Sequence, residues 1–331
     1  MRMLAEVERV WDVHTHVIPP IVGDWAAKGE WGLSLADGKL VNGYSATPLG
    51  RLGRPDLLIE WIESQSLAGA VVSVPPPVFQ IDASDIDRQY EWAYALNDAL
   101  AQACAVDTNR LRPLALLPLL DAEKSAELVN SHQFGPQGFA GIVIGTDSGQ
   151  LALSAPELEP VWRALTDPHI PIFIHPSTCP DPRLSDFYLA NLLGNPVETA
   201  IAVAHLIFGG VMERFSPTVV LAHGGGVSSA LIGRWQQGFD TKRPGIPELQ
   251  ESPAQSLRKF FVDGLVYDEE TLEFTIAQFG PDQLLLGSDW PFPIAASSSE
   301  AALPGIGQDE MTRVAANTVR AFPSLVSEIP E

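Results

Sequence analysis

Short apolar segments alternate with amphipathic segments eight times along the chain, and this alternation constrains the fold more than any other feature. Each apolar segment is typical of a buried strand, and each leads to a pattern of apolar residues at three- and four-residue spacing. Because a crossover helix returns the chain to the same end of a sheet, we expect the strands to be parallel. Eight such units predict an α/β fold, a single-domain (β/α)8 or TIM barrel over residues 1–331.

The expected strands and helices follow one another with few interruptions. The strands are predicted at residues 10–16, 68–74, 112–119, 139–146, 170–175, 218–223, 259–264 and 283–289. The helices are predicted at residues 55–67, 87–105, 121–133, 155–166, 196–215, 227–239, 268–279 and 308–321. Long insertions follow strands 1 and 5, and such long connections are usually functional or locally folded. No Gly-x-Gly-x-x-Gly follows strand 1, which argues against a dinucleotide-binding fold.

The charge balance limits the possible partners. The chain has 20 Lys and Arg against 41 Asp and Glu, a formal net charge of -21. A surface this acidic repels phosphate backbones and anionic bilayers, so we expect no nucleic-acid or membrane partner. Only Cys104 and Cys179 are present, which suggests a reducing compartment. No apolar run approaches a signal peptide or membrane span, so we expect a cytoplasmic protein.

Five polar residues end apolar strands at the side of a barrel where active sites are built. They are His14 and His16 on strand 1, His175 on strand 5, His223 on strand 6 and Asp289 on strand 8. Because side chains on a strand alternate between faces, the two histidines of strand 1 point the same way. Any one of these residues could be a hydrogen-bonded strand end, but five at one end of a barrel predict a site.

Three imidazoles and one carboxylate suit Zn2+ or another divalent metal such as Mn2+, with one position left open. We therefore predict His14, His16, His175 and Asp289 as the metal ligands. His223 is predicted to lie beside the metal-bound water, where it can move a proton.

Five motifs occur in order along the chain. They are His14-Thr15-His16, His175-Pro176, Ala222-His223-Gly224-Gly225-Gly226, Val262-Asp263 and Leu286-Gly287-Ser288-Asp289-Trp290-Pro291-Phe292-Pro293. Together they resemble the amidohydrolase-related superfamily, and more closely its aminocarboxymuconate-semialdehyde decarboxylase branch. The resemblance implies a zinc-dependent, non-oxidative loss of CO2 from an unsaturated or aromatic carboxylate. In that reaction metal-bound water and His223 protonate the carbon that loses CO2, with His223 and Asp289 as catalytic residues.

The resemblance also implies residues that bind the substrate carboxylate. Arg234 matches an arginine that in the family reaches into the pocket of the neighbouring subunit, which with the apolar run 201–211 suggests a homodimer. A second family arginine is replaced by Thr47, and Arg51 is the predicted substitute, with Arg54 close by.

Two other functions remain open from the residues alone. The same metal set serves hydrolases and hydratases, in which a zinc hydroxide attacks a lactone, amide or alkene and Asp289 takes the proton. A barrel that binds a metal or metabolite without turnover is a third reading, which the histidines at the strand ends disfavour.

Overall fold

Eight parallel strands form one sheet that curls into a barrel, in agreement with the expected fold class. The structure, a computed structural model, describes residues 10–326 apart from residues 44, 82–83, 148–150, 178 and 180. The barrel strands pair in chain order, and each is completely buried. They are β1 Trp11–His16, β5 Gly69–Ser73, β6 Leu111–Leu116, β7 Gly141–Ile144, β8 Ile172–Ile174, β9 Val219–Leu221, β10 Phe261–Asp263 and β11 Leu284–Leu285.

The barrel is closed by hydrogen bonds between its first and last segments. The Val13 amide donates to the Leu286 carbonyl at 2.9 Å, and the Asp289 amide donates to the His14 carbonyl at 2.8 Å. Strands buried on both faces are mostly apolar, as in the Val, Ile and Leu runs of β7, β8 and β9. The polar residues at their ends are therefore exceptions with a structural cost.

Helices are present at all eight predicted positions. The longer ones are α1 Pro20–Ala27, α2 Pro55–Ser64, α3 Ile86–Cys104, α4 Ala122–Ser131, α5 Glu159–Ala164, α6 Asn195–Phe208, α8 Ser228–Asp240, α10 Glu269–Phe279 and α12 Gln308–Ala321. Three short helices, α7 Val211–Arg214, α9 Pro253–Leu257 and α11 Ser299–Ala302, complete the set. Helices α1, α9 and α11 were not predicted from the sequence. The predicted helix 196–215 is divided between α6 and α7, because Gly210 adopts a left-handed φ of 70° between them.

Both predicted insertions are present and carry local structure. The insertion after β1 contains α1 and a small antiparallel sheet of β2 Ser34–Ala36, β3 Lys39–Val41 and β4 Ala46–Pro48. The insertion after β8 ends in a π-helical turn, Ala190–Gly194, that runs directly into α6. Such turns are rare and occur frequently at functional sites.

Within the described part of the chain, no helix has the length and apolar character required to cross a bilayer. The predicted single domain extends to residues 1–9 and 327–331, which lie outside the described residues.

Candidate metal centre and cavity

The five side chains that end β1, β8, β9 and β11 meet at one point above the barrel. Ligand atoms of four of them, His14, His175, His223 and Asp289, lie within 4.8 Å of one another. His16 adjoins this group, because its Nε2 lies 3.2 Å from Nε2 of His14 and 3.2 Å from Oδ1 of Asp289. We refer to these five residues as the histidine cluster.

Three of the imidazoles are held through the nitrogen that faces away from the centre. Nδ1 of His14 lies 2.7 Å from Oδ2 of Asp263, and Nδ1 of His16 lies 3.0 Å from the Ser73 hydroxyl. Nδ1 of His175 lies 2.8 Å from the Pro176 carbonyl oxygen, to which it donates as the protonated nitrogen. Partners of this kind fix the tautomer and aim Nε2 at a metal.

A buried carboxylate organises the strand ends behind the cluster. Asp263 is fully buried, and its oxygens accept the backbone amides of His223, Gly224 and Leu265 as well as the His14 ring proton. Burial alone would raise the pKa of Asp263, but the hydrogen bond from His14 and nearby positive charge hold it below its usual value. Asp263 therefore stays ionised and connects β10 to both β1 and β9.

Two residues of the histidine cluster have a strained backbone. His223 has a φ of 55° and Asp289 a φ of 63°, both in the left-handed region that non-glycine residues rarely adopt. Strain of this kind persists where the surrounding structure over-determines it, as at ligand sites. It turns both side chains out of the strand direction and into the cluster, with His223 Nε2 3.9 Å from Asp289 Oδ2.

Buried polar atoms in the cluster lack partners, which tests whether the residues fit a metal ion. His175 Nε2, His223 Nδ1 and Asp289 Oδ1 are buried without a hydrogen bond. With Nδ1 of His14 and His16 carrying their protons, the Nε2 lone pairs of these two rings face each other at 3.2 Å. Unpaired acceptors this close are costly to bury. A divalent cation would satisfy the unpaired atoms of His14, His16, His175 and Asp289, so this donor set fits a metal.

The pKa shifts agree with a metal-binding form of the histidines. Burial lowers the pKa of His16, and it lowers that of His175 well below the usual value, so both are neutral at pH 7. Burial also opposes ionisation of Asp289, but the rings of His16 and His223 beside its carboxylate keep its pKa below the usual range. Neutral imidazole and ionised carboxylate are the forms that bind metals.

His14 differs from the other two tethered histidines. Burial lowers its pKa, but the hydrogen bond to Asp263 and the negative charges of Asp289, Asp263 and Asp12 outweigh burial and raise it. A ligand with an anionic partner behind it is a stronger base, which raises its affinity for a cation.

A cavity of about 490 Å³ opens above the histidine cluster. Its floor includes His175, His223 and Asp289, and its sides carry the rings of Phe79 and Phe292. This volume lies in the range of about 300–1,000 Å³ typical of small-molecule sites. Half-buried neutral polar side chains form one part of the wall, which we call the polar wall: Gln80, Ser177, Asn191 and Asn195.

The arginines predicted to bind substrate are exposed and stand outside the described lining of this cavity. The guanidinium carbon of Arg51 lies 5.3 Å from the centre of the Trp290 ring. Trp290 directly follows Asp289 in the chain. Arg54, the alternative, pairs with Asp56 at the surface. Arg234 lies on an exposed face of α8.

The remaining histidines lie outside the histidine cluster. Nδ1 of His132 lies 2.8 Å from the Leu128 carbonyl oxygen, and Nδ1 of His205 lies 2.9 Å from the Ser154 hydroxyl. His169 is exposed in a turn before β8.

Sequence reasoning gave no role to Asp263 or Asp12. Asp12 is fully buried and accepts hydrogen bonds from the amides of His14 and Ser288, the Ser288 hydroxyl and the Trp61 ring. Burial raises the pKa of Asp12 to about 6 in spite of these bonds. Strand alternation could have identified Asp12, because it precedes His14 by two residues and so lies on the same face of β1.

Comparisons with known proteins place the chain among related sequences. A family model described as amidohydrolase matches residues 11–304. The 2-amino-3-carboxymuconate-6-semialdehyde decarboxylase of Dictyostelium discoideum is 30% identical over 300 residues, covering 86% of this chain and 82% of that protein. The gamma-resorcylate decarboxylase of Rhodococcus jostii (strain RHA1) is 24% identical over 280 residues, which cover 76% of this chain and 84% of that protein.

Solved structures share the fold. The 5-carboxyvanillate decarboxylase of Sphingomonas paucimobilis superposes with a TM-score of 0.79 at 21% identity, covering 96% of this chain and 99% of that one. The corresponding enzyme of Novosphingobium aromaticivorans DSM 12444, complexed with manganese and 4-hydroxy-3-methoxy-5-nitrobenzoic acid, has a TM-score of 0.75 at 21% identity and covers 95% and 96%. Both support the eight-stranded barrel described above.

Proposed function

The chain belongs to the amidohydrolase family, and from that membership we propose that it is a metal-dependent, non-oxidative decarboxylase of an aromatic or unsaturated carboxylate. The carboxy-lyase class expected from the sequence agrees with the relatives, which are named decarboxylases. One observation carries the proposal: three tethered imidazoles and Asp289 converge, with unpaired acceptor atoms, on the floor of a cavity with aromatic sides.

We propose that His14, His16, His175 and Asp289 hold the ion and that His223 does not. The three imidazoles have their Nδ1 atoms tethered by Asp263, Ser73 and a backbone carbonyl, as metal-ligating histidines usually do. Nδ1 of His223 has no such partner, so nothing fixes its ring for ligation. This distinction leaves His223 available for proton transfer at the cavity floor.

Zinc is the proposed ion, with manganese as the alternative. Three nitrogen donors and one carboxylate suit zinc, and manganese is bound in three solved structures of this fold. When bound, the ion supplies positive charge that stabilises the electron-rich state formed as the carboxylate leaves.

His223 is the proposed proton carrier in the reaction. It delivers a proton to the ring or chain carbon that bears the carboxylate, and this protonation interrupts conjugation. The carbon–carboxylate bond then breaks, its electron pair restores conjugation, and CO2 departs. Asp263 acts through the backbone amide of His223 and through the His14 ring, so it positions both residues.

The substrate carboxylate would be held from outside the floor by Arg51 and by Arg234 of a second copy. The described lining residues of the cavity include no Lys or Arg, so one chain alone offers its floor no such contact. Exposed apolar side chains near the cavity mouth support a homodimer, since Phe187 is 85% and Leu192 54% exposed. The run 201–211 contributes less than expected, because most of it packs inside the chain and only Ile201 is strongly exposed.

A cytoplasmic location remains part of the proposal. Cys104 and Cys179 are unpaired thiols, which is typical of proteins from reducing compartments.

The decisive experiment measures CO2 or bicarbonate release from metal-loaded protein with candidate carboxylates, alongside hydrolysis of lactone and amide probes. Release of CO2 with stoichiometric formation of the decarboxylated product supports the proposal. Hydrolysis or hydration without CO2 release would replace it with the alternative chemistry on the same metal set. Light scattering at micromolar concentration tests the homodimer, and a monomer there would remove the role of Arg234.

A further inference from the structure

The polar wall is built to present neutral hydrogen-bonding groups to the cavity. Among the described residues, none of the side chains of Gln80, Ser177, Asn191 and Asn195 makes a hydrogen bond, although each is half-buried and lines the cavity or its smaller neighbour. Amides and hydroxyls both donate and accept, so they match a hydroxyl, methoxy or carbonyl group. Because these groups bond to no described protein atom, they can bond to a ligand that replaces water in the cavity.

Asn191 and Asn195 are placed by the π-helical turn Ala190–Gly194. In such a turn residues four apart lie on nearly the same face, so both amides face the cavity. Gly194 packs directly on the thiol of Cys179, since a Cβ at Gly194 would lie 2.4 Å from Sγ. This close contact holds the turn against Cys179, which follows His175 by four residues.

Charge near the polar wall disfavours a second carboxylate there. Asp147 and Ser177 both line the smaller cavity that adjoins the main one, and Glu198 follows Asn195 by one helical turn. Burial raises the pKa of Glu198, and the negative charge of Asp147 raises it further, so the two acids are close. The described lining of the main cavity offers no compensating cation. The wall therefore accepts neutral groups and repels anionic ones.

From these observations we infer that Asn191 and Asn195 determine substrate specificity by hydrogen bonding a neutral oxygen substituent of a substrate that carries a single carboxylate. This inference rests on the proposed function, because the single carboxylate is the one directed to the histidine cluster. It distinguishes hydroxylated or methoxylated monocarboxylic acids from dicarboxylic acids of the same size.

The test compares binding and turnover for a matched set of acids with zinc-loaded protein. Isothermal titration uses benzoate, its three monohydroxy isomers and benzene-1,3-dicarboxylate, and CO2 release is followed in parallel. We expect at least one hydroxybenzoate to bind roughly tenfold more tightly than benzoate, as one or two neutral hydrogen bonds allow. The dicarboxylate is expected to bind more weakly than benzoate.

Variants then assign the effect to the two amides. Asn191→Ala, Asn195→Ala and the double variant should lose most of the hydroxyl advantage, measured as the ratio of hydroxybenzoate to benzoate affinity in each variant. Asn109→Ala is the matched control, because Asn109 is an exposed asparagine before β6 at the opposite end of the barrel. Melting temperatures confirm that each variant is folded.

The outcomes separate this inference from the proposed function. CO2 release with a hydroxyl advantage that survives in the double variant overturns the inference and leaves decarboxylation intact. The expected binding pattern without CO2 release supports the inference and removes the proposed function. Tighter binding of the dicarboxylate by the wild type, or no binding of any acid, overturns the inference without reference to any variant.

Discussion

The floor and the polar wall of the cavity face the same space but are built in different ways. The floor consists of strand ends, and its His14, His16 and His175 side chains are buried and fixed by second contacts, as Asp263 fixes His14. The wall belongs largely to the segment after β8, in which Phe187 and Tyr188 adopt left-handed φ values of 57° and 61° and are strongly exposed. The four side chains of the polar wall make no hydrogen bonds within the described part of the chain.

This difference separates chemistry from recognition. Strand ends in a closed barrel cannot move independently, so they hold a constellation to the tolerance that a metal and a proton carrier require. An insertion can change in length and composition without disturbing the barrel, so recognition of the substrate concentrates there. Changes to the floor should therefore abolish function, whereas changes to the wall should redirect it.

The largest expected effect is the loss of a floor ligand. His175→Ala removes one of four proposed ligands, and we expect metal content to fall from about one ion per chain to nearly none, with activity lost. Mass spectrometry of the purified proteins measures the metal directly. His169→Ala is the matched control, since His169 is exposed in a turn, and it should retain the ion. Equal metal loss in both variants would contradict a specific role for the floor.

Replacing the proton carrier should separate binding from turnover. His223→Ala is expected to keep its metal and to lower kcat by about 10²- to 10⁴-fold, as loss of a general acid–base does. Metal analysis and kcat on the same preparation test this directly. Release of the ion would instead make His223 a ligand, and unchanged kcat would exclude it from the mechanism.

A smaller effect is expected from the carboxylate behind the floor. Asp263→Asn keeps the shape but removes the charge that holds the His14 ring, so metal affinity should fall about 10- to 100-fold. Competition with a chelator measures the change. Asp282→Asn, at an exposed carboxylate distant from the cluster, serves as the control. If both variants hold metal as tightly as the wild type, Asp263 does not tune the site.

The smallest effect concerns the stability of the metal-free protein. Burial lowers the pKa of His16 and His175, so the unfolded chain binds more protons than the folded chain once the pH falls below about 6.5. Stability is then present above that pH and lost as the pH decreases. Between pH 7.5 and 5.5 the free energy of unfolding should fall by about 1–2 kcal/mol.

Urea titration of metal-free protein at the two pH values measures this change. The His175→Gln variant should show a weaker dependence, because it lacks one of the two titrating groups. A free energy of unfolding that rises on acidification would show that His14 and Asp12, whose pKa values are raised, dominate instead.

Much of the floor could be predicted from the sequence because its signals are local. Alternation on β1 placed His14 and His16 on one face, and apolar runs that end in His or Asp marked the strand ends. The barrel and the family expected from these signals are confirmed. The roles of the individual residues stay predictions that the variants above would test.

The contacts behind the floor could not be predicted in the same way. Asp263 lies 249 residues from His14, and Ser73 lies 57 residues from His16, so no local pattern joins them. The small antiparallel sheet after β1 has strands of only three residues, too short for a periodic signal.

The sequence by itself determined the eight barrel strands, the main helices between them, their order and the residues that end the strands, because hydrophobic periodicity follows directly from backbone geometry. Only the tertiary structure decided which of those residues meet, which partners aim them and which neutral side chains face the cavity. Those outcomes depend on contacts between segments that are distant along the chain. They form only when the barrel closes and brings the strand ends and the insertion after β8 together.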